Sequence, residues 1–359
     1  MSGKKGRYLP EEVPVPLGKR LAVGLGKLLL VLLETVALLA VLLYGALLIV
    51  TKGPSPTAKK LFVMSVKETS AMGFLANWFL PPEEIAEITQ VRLEENIQTN
   101  TSLVQLPQET VPADSGQADA WGLTDEDGDG IIVERVTGSG YSGFMMVVLD
   151  PTRVIMGAVP ESFGARGYTV AEMVEKFDAV AGINAGGFYD PNGNGNGSIP
   201  DSMVVFQGKS YYSGTRQGFV GLDSRSLLHV GTPSKEEVEA MDIQYGVCFG
   251  PVLVANGESV LPEDTASGLN PRTAIGQRSD GAILLLVIDG RQVVSLGATL
   301  PDLADIMLKY GAVNACNLDG GSSSLMWFGG DYINNCASVI GIRPVPTTFL
   351  VLKEGAHAS

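Results

Sequence analysis

The chain has 359 residues, 45% of them apolar and 18% charged, and carries a formal net charge of −14. That length buries a sizeable core in one large domain or two small ones, and the acidic balance excludes a nucleic-acid surface, which needs clustered cations. Two histidines and three cysteines exclude a multi-finger zinc protein, and 44 glycines without a Gly-X-Y period exclude collagen.

The first element in chain order is an apolar run over residues 28–50 whose only charge is Glu34. As a helix it is about 34 Å long, enough to cross a hydrocarbon core about 30 Å thick. A cleaved signal has a shorter apolar region and a small-x-small exit, whereas this run ends in Leu-Ile-Val-Thr-Lys, so an uncleaved anchor is expected. Lys4, Lys5, Arg7, Lys19, Arg20 and Lys27 precede it, against Lys52, Lys59 and Lys60 after it. The bias puts a basic tail, residues 1–27, in the cytoplasm and the remainder outside, as a single-pass protein of the cell membrane. Residues 1–60 carry a net +6, which leaves −20 for the exported part. Cys248, Cys316 and Cys336 are odd in number; they allow one disulfide, but the apolar neighbours of Cys248 and Cys316 suit three buried or inert thiols better, and no disulfide framework is expected.

Residues 51–120 read as a helical segment and a polar linker. Helical spacing runs from Leu61 to Leu80, Pro81-Pro82 break it, and Glu83–Thr89 form another short helix. This stretch is either a membrane-adjacent packing helix or a spacer. A globular domain is expected over 121–359. Val133–Val136 and Met145–Leu149 read as strands, and Gly138-Ser139-Gly140-Tyr141-Ser142-Gly143 is a turn leading into the second of them, not a dinucleotide fingerprint. Thr169 with Glu172 caps a helix reaching Ala179, and Ala179–Ile183 is a strand. Thr299 caps a second helix that Gly311 ends, with strands Ile283–Ile288 before it and Val313–Leu318 after it. Thr347–Leu352 closes the series. The fold expected is α+β, a mixed β-sheet domain with a few packed helices, preceded by a transmembrane helix.

Several loops carry candidate chemistry. Asp125, Asp127, Asp129 and Gly130 match the opening of a calcium loop, but position twelve is Val136 and not Glu, so a hairpin turn is preferred and Ca2+ is at most a weak site. Asn184-Ala185-Gly186-Gly187-Phe188-Tyr189-Asp190 follows a strand, and its adjacent glycines let a ligand approach the backbone closely. Asn194-Gly195-Asn196-Gly197 reads as a loop, with a lid as its functional alternative. Asn270-Pro271-Arg272-Thr273-Ala274-Ile275-Gly276 opens a strand with an arginine suited to phosphate. Asp289-Gly290-Arg291 and Asn317-Leu318-Asp319-Gly320-Gly321-Ser322-Ser323-Ser324 each put a carboxylate at the tip of an apolar strand. His229 sits in an apolar strand pattern and is read as structural. His357 lies in a tail and no GxSxG elbow occurs, so a Ser-His-Asp hydrolase has little support.

NAGGFYD, PRTAIG, the DGR turn, NLDGGSSS and the closing Arg343-Pro344-Val345-Pro346-Thr347 occur in the order of the phosphodiester glycosidase family, which the chain resembles over roughly residues 130–353. The family includes a lysosomal enzyme that removes N-acetylglucosamine from a phosphodiester, and the anchored layout here resembles bacterial members, some described as related to exopolysaccharide biosynthesis. Gly187 departs from the lysosomal form, which has an aromatic residue there.

The resemblance implies a hydrolase that breaks the bond between a sugar's anomeric carbon and a phosphodiester oxygen in envelope or exopolysaccharide glycans, without a cofactor. Asp319 is then nucleophile or general base and Asp289 its partner or orienter; a carboxyl separation of about 5–5.5 Å means retention and about 6.5–9.5 Å inversion. Arg272 and Arg343 take the charge of the departing phosphate. Asn184, Gly186, Gly187, Thr273, Asn317, Gly320, Gly321 and Ser322 hold hydroxyls or phosphoryl oxygens. The alternatives are a non-catalytic glycan or phosphopolymer-binding module and a calcium-dependent adhesion domain.

Overall fold

The computed structural model describes residues 17–69, 72–89, 97–106, 118–191, 195–212, 218–263, 265–338 and 341–356. Lys4, Lys5 and Arg7, most of the polar linker, Asn194 and His357 lie outside them. The chain divides into two compact units, Met1–Lys59 and Lys60–Ser359.

The first unit is built on helix α1 (Leu17–Lys52), 36 residues in a single run. Its stretch Val23–Lys52 is long and apolar enough to cross a membrane, a test that a signal sequence near the N-terminus also meets. Most of its leucines and valines from Leu21 to Leu43 are exposed, so the helix buries no continuous apolar face within the chain.

The second unit takes in the chain from Lys60, about sixty residues before the expected domain start. Helix α2 (Pro56–Lys67), α3 (Phe74–Phe79) and α4 (Pro82–Thr89) share an apolar cluster of Val63, Ala76, Leu80 and Ile85. The single helix expected from Leu61 to Leu80 is therefore two. A Thr-Ser pair and Gly73 separate them, and all three residues favour other conformations over helix.

Three sheets follow. The largest runs in the order Ile131–Gly138, Tyr141–Val148, Ile283–Ile288, Arg272–Arg278, Ala312–Leu318, Val252–Ala255, Glu258–Ser259. A second has the order Asp331–Tyr332, Met326–Phe328, Ala179–Asn184, Thr347–Leu352, Val154–Ala158. The third has the order Lys209–Tyr211, Val204–Phe206, Ile243–Val247, Phe219–Asp223, Leu228–Gly231. The α+β class holds. Where a sheet of mixed direction was expected, the described pairings are antiparallel throughout.

The central strand Ile283–Ile288 shows why the layers stack as they do. Its side chains alternate between faces, so Ile283, Leu285 and Val287 enter the core shared with the other two sheets, while Leu284, Leu286 and Ile288 enter a second core. Helix α7 (Leu300–Lys309) covers that second core with Leu303, Ala304 and Met307, held at its start by the Thr299–Asp302 capping box. The helices between are α5 (Val170–Lys176), with the expected Thr169–Glu172 capping box, and α6 (Lys235–Ala240). Full burial of each such leucine stabilises by about 1.5–3 kcal/mol. The GxGxxG run forms the turn between the first two strands of the large sheet, and the Asp125–Asp129 loop precedes the first strand and joins no pair of strands.

Candidate active site

Antiparallel register brings the candidate residues to one edge. Arg272 pairs with Ile288 and Thr273 with Leu318. Asp289 and Asp319, the next residues, therefore leave the sheet where Arg272 enters it. The second sheet delivers Asn184, the last residue of its strand, opposite Thr348.

Asn184 ties these elements. Its fully buried amide donates from Nδ2 to the Asp319 carbonyl (2.5 Å), while its Oδ1 accepts from Thr273 Oγ1 (2.9 Å) and the Leu325 amide (3.2 Å). The Asp319 amide donates to the Ala185 carbonyl at 2.9 Å. The acidic turn is thus fixed from both sides of its backbone. Gly321 adopts φ +65° and its amide reaches the Pro271 carbonyl at 2.8 Å, so the turn needs glycine there. A Cβ on Gly320 would lie 2.9 Å from that carbonyl and 3.8 Å from Arg272 Cα.

Two arginine clusters flank the turn. Arg343 donates to both carboxylate oxygens of Asp190 (2.8 and 2.7 Å), to Ser322 Oγ (3.2 Å) and to the Gly195 carbonyl (3.2 Å), with Phe188 beneath it. Burial pushes the Asp190 carboxyl up, but the Arg343 bonds, the Gly195 amide and the Arg343 charge outweigh it and hold the group below its ordinary value. On the other flank Arg272 turns away from the carboxylate turn. It donates to Glu68 (2.6 Å), Ser267 Oγ (2.9 Å), the Gly268 carbonyl (2.8 Å) and the Ala298 carbonyl (3.1 Å). Glu68 also accepts from the Gly268 amide (3.1 Å) and Asn270 Nδ2 (2.8 Å). Arg291 lies next to them and donates to Thr69 Oγ1 (3.0 Å) and Asn270 Oδ1 (3.2 Å).

The other expected residues are engaged in different ways. The buried Asp289 carboxylate accepts from Asn334 Nδ2 (3.2 Å), the Asn335 amide (2.9 Å) and Asn335 Nδ2 (3.3 Å). The Gly186 amide is committed to Thr347 Oγ1 at 3.0 Å. A Cβ on Gly187 would meet Asp201 Oδ2 at 2.7 Å and Phe249 at 2.9 Å, so an aromatic residue at 187 would have to displace Asp201. Asn317 donates from Nδ2 to the Gly250 carbonyl at 2.8 Å. Its Oδ1 and Ser324 Oγ are buried without hydrogen-bond partners, two of three such atoms among the described residues.

Direct bonds and neighbouring backbone therefore join Asn184, Thr273, Asp319, Gly320, Gly321, Ser322 and Arg343, with the backbone of Arg272 beside them. Glu68 carried no sequence signal, because its partner Arg272 is 204 residues away and the segment around it read as either a packing helix or a spacer. Asp190 and Arg291 stood inside quoted motifs without a role. His229 lies 3.2 Å from Asp223 on the third sheet. The three cysteines are free thiols, and burial drives the Cys316 thiol far up, which keeps it inert. Asp125, Asp127 and Asp129 bring ligand atoms within 4.8 Å of one another, while Asp125 also accepts from the Gly128 and Gly130 amides. Burial, then Asp127 and Asp125, raise the Asp129 pKa despite the opposing Ile131 amide bond.

The sequence pattern of the phosphodiester glycosidase family matches residues 177–352. The chain is 32% identical over 212 residues to the SPbeta prophage-derived uncharacterized protein YomE of Bacillus subtilis (strain 168), covering 55% of this chain and 31% of that one. It is 28% identical over 206 residues to human N-acetylglucosamine-1-phosphodiester alpha-N-acetylglucosaminidase, covering 51% and 39% respectively. The chain thus spans well under half the length of these relatives. The solved catalytic domain of the zebrafish enzyme of that name superposes with a TM-score of 0.52 at 19% identity, covering 62% of this chain and 82% of that one, a likeness of fold.

Proposed function

We propose, from the membership of residues 177–352 in the phosphodiester glycosidase family, that the protein hydrolyses the bond between a sugar's anomeric carbon and a phosphodiester oxygen. Water supplies a hydroxyl to the sugar carbon and gives up its other proton by way of a carboxylate to solvent, and the phosphodiester oxygen leaves with the electron pair of the broken carbon–oxygen bond. Positive character grows on the sugar and negative charge on the phosphoryl group, so the site needs a carboxylate at one end and cations at the other. The observation that carries the reading is the strand-tip turn of Asp319, fixed by Asn184 and flanked by two arginine clusters.

Asp319 acts as nucleophile or general base. Asp289 orients the site by holding Asn334 and Asn335 beside it. Arg343 and Arg272, each fixed on a carboxylate, supply the positive field on the leaving-group side. Asn184, Thr273 and Asn317 with the Gly186-Gly187 and Gly320–Ser322 backbone shape the sugar and phosphate pocket, in which Gly186 contributes close approach and not a free amide. The reaction needs no cofactor; a cation at Asp125, Asp127 and Asp129 would serve that loop alone. Helix α1 anchors the chain in the cell membrane with its N-terminus cytoplasmic, which puts the catalytic domain outside, on envelope or exopolysaccharide glycans.

The test offers the full chain in detergent a panel of α-linked N-acetylglucosamine, glucose and galactose 1-phosphodiesters and measures released sugar. Release from at least one supports the reading. Binding without release from any would replace it with a non-catalytic glycan-binding module.

A further inference from the structure

The two arginine clusters differ in charge count. Arg343 has Asp190 to itself. Glu68 is ion-paired with Arg272 and acts on Arg291 only through its field, so among the described residues these three groups carry one positive charge in excess. In an exported domain that is strongly acidic, an unmatched cation beside a glycine turn is the exception.

Arg291 is also the guanidinium that faces the turn. A Cβ on Gly321 would lie 3.2 Å from its Nη2. The residue as a whole is exposed, but its guanidinium sits among Thr69, Asn270 and Gly321. Burial, and then the Arg272 charge, hold its pKa below the ordinary arginine value, with Glu68 pulling the other way. Its backbone is at φ +58°, the left-handed region that glycine occupies at least cost. The turn imposes this through the Arg291 amide on the Leu296 carbonyl (3.2 Å) and the Gln292 amide on the Ser295 carbonyl (2.9 Å). A non-glycine residue kept in that conformation beside a candidate site points to a use for its side chain. Glu68 meanwhile keeps the inner arginine from direct contact: three donors hold its carboxylate, and the Arg272 guanidinium is committed to it and to Ser267, Gly268 and Ala298, so Arg272 acts through its field.

A phosphodiester carries one negative charge, whereas a phosphate monoester approaches two above its second pKa of about 6. The excess of one positive charge matches the diester.

We infer that Arg291 makes the direct contact with the phosphoryl oxygens and that Glu68, by neutralising Arg272, sets the site to prefer a singly charged phosphodiester over a doubly charged sugar 1-phosphate. The inference rests on the proposed reaction and deepens it by naming what reads the leaving group.

The experiment is calorimetric, so it does not depend on turnover. The full chain in detergent is titrated at about pH 8 with two non-hydrolysable probes, a C-linked sugar phosphonate monoester, singly charged, and the parent sugar phosphonate, near double charge. Wild type should bind the monoester form more tightly. Glu68→Gln raises the local charge by one and should move the affinity ratio about tenfold toward the doubly charged probe. Arg291→Gln should weaken both probes by roughly 10- to 100-fold, and Arg291→Lys by less. The double variant E68Q/R291Q restores the single charge and should bind the singly charged probe better than R291Q alone. Purely structural roles predict the opposite, since two damaged contacts then add. An unchanged ratio in E68Q, or a double variant weaker than R291Q, overturns the inference. Absence of sugar release by wild type would overturn the proposed reaction while leaving this binding result readable on its own.

Discussion

The edge around Asp319 and the cluster around Asp223 use the same residue types to different ends. On the third sheet the Asp223 carboxylate accepts from the Arg225 and Leu227 amides, the Arg225 guanidinium and His229, all local in the chain. Its donors and acceptors close on themselves. At the strand-tip edge the partners come from several distant stretches of chain, one glutamate lies in the field of two arginines, and two of the buried polar atoms among the described residues have no partner. A closed cluster contributes to stability and has nothing left to offer a ligand. An unfinished one retains binding capacity that folding has not consumed.

The sharpest way to break that comparison is Asp319→Asn. It should lower turnover by about a thousandfold or more, as loss of a catalytic group does, and should change stability far less, since asparagine keeps the backbone bonds that hold the turn. Sugar release and thermal melting read the two effects separately; an equal loss in both would make Asp319 structural. Next in size is Asp190→Asn, which leaves the buried Arg343 charge without its carboxylate. The expected cost is about 3 kcal/mol in denaturant unfolding. A loss below about 0.5 kcal/mol would show that Arg343 is solvated and not locked.

Much of this contrast was legible in the sequence and part of it was not. Strands 283–288 and 347–352 read correctly to the residue, because runs of buried apolar residues bounded by turn residues leave little choice. The Thr169 and Thr299 caps read correctly for the same local reason. Asp319 and Asn184 stood out as polar residues at strand tips. The pairing of Glu68 with Arg272 was invisible, since a lone glutamate at a helix end says nothing about a residue 204 positions on. The split of the Leu61–Leu80 helix was missed because its apolar spacing carries through the break, and spacing alone does not report the hydrogen bonds that end α2. The third sheet was missed apart from its histidine strand, its members being only three to five residues long.

The closed cluster has its own test in acid. Burial raises the Asp223 pKa, but His229, the Leu227 amide and Arg225 outweigh it and bring the carboxyl down to about 2. A folded pKa below the unfolded value of about 3.9 means the contribution, about 2 kcal/mol, is fully present above about pH 4 and is lost as pH falls toward 2. Asp223→Asn should therefore destabilise by about 2 kcal/mol near neutrality, with the gap to wild type closing over that acid window. A gap that stays constant down to about pH 2 would mean that the aspartate acts through shape alone.

The smallest effect tests the unfinished side. Ser324 Oγ is buried without a partner, and a hydroxyl left so costs about 1–3 kcal/mol relative to a satisfied one. If folding alone had shaped this position, alanine would serve it better, and Ser324→Ala should raise stability by up to about 1 kcal/mol in the ligand-free protein. The same substitution should weaken sugar-phosphonate binding by about threefold if the hydroxyl completes its bonding only with a ligand present. The two signs must oppose each other. A variant that is both less stable and unchanged in binding would place Ser324 with the closed clusters, and the distinction between the two regions would then rest on Asn317 Oδ1 and the charge around Glu68.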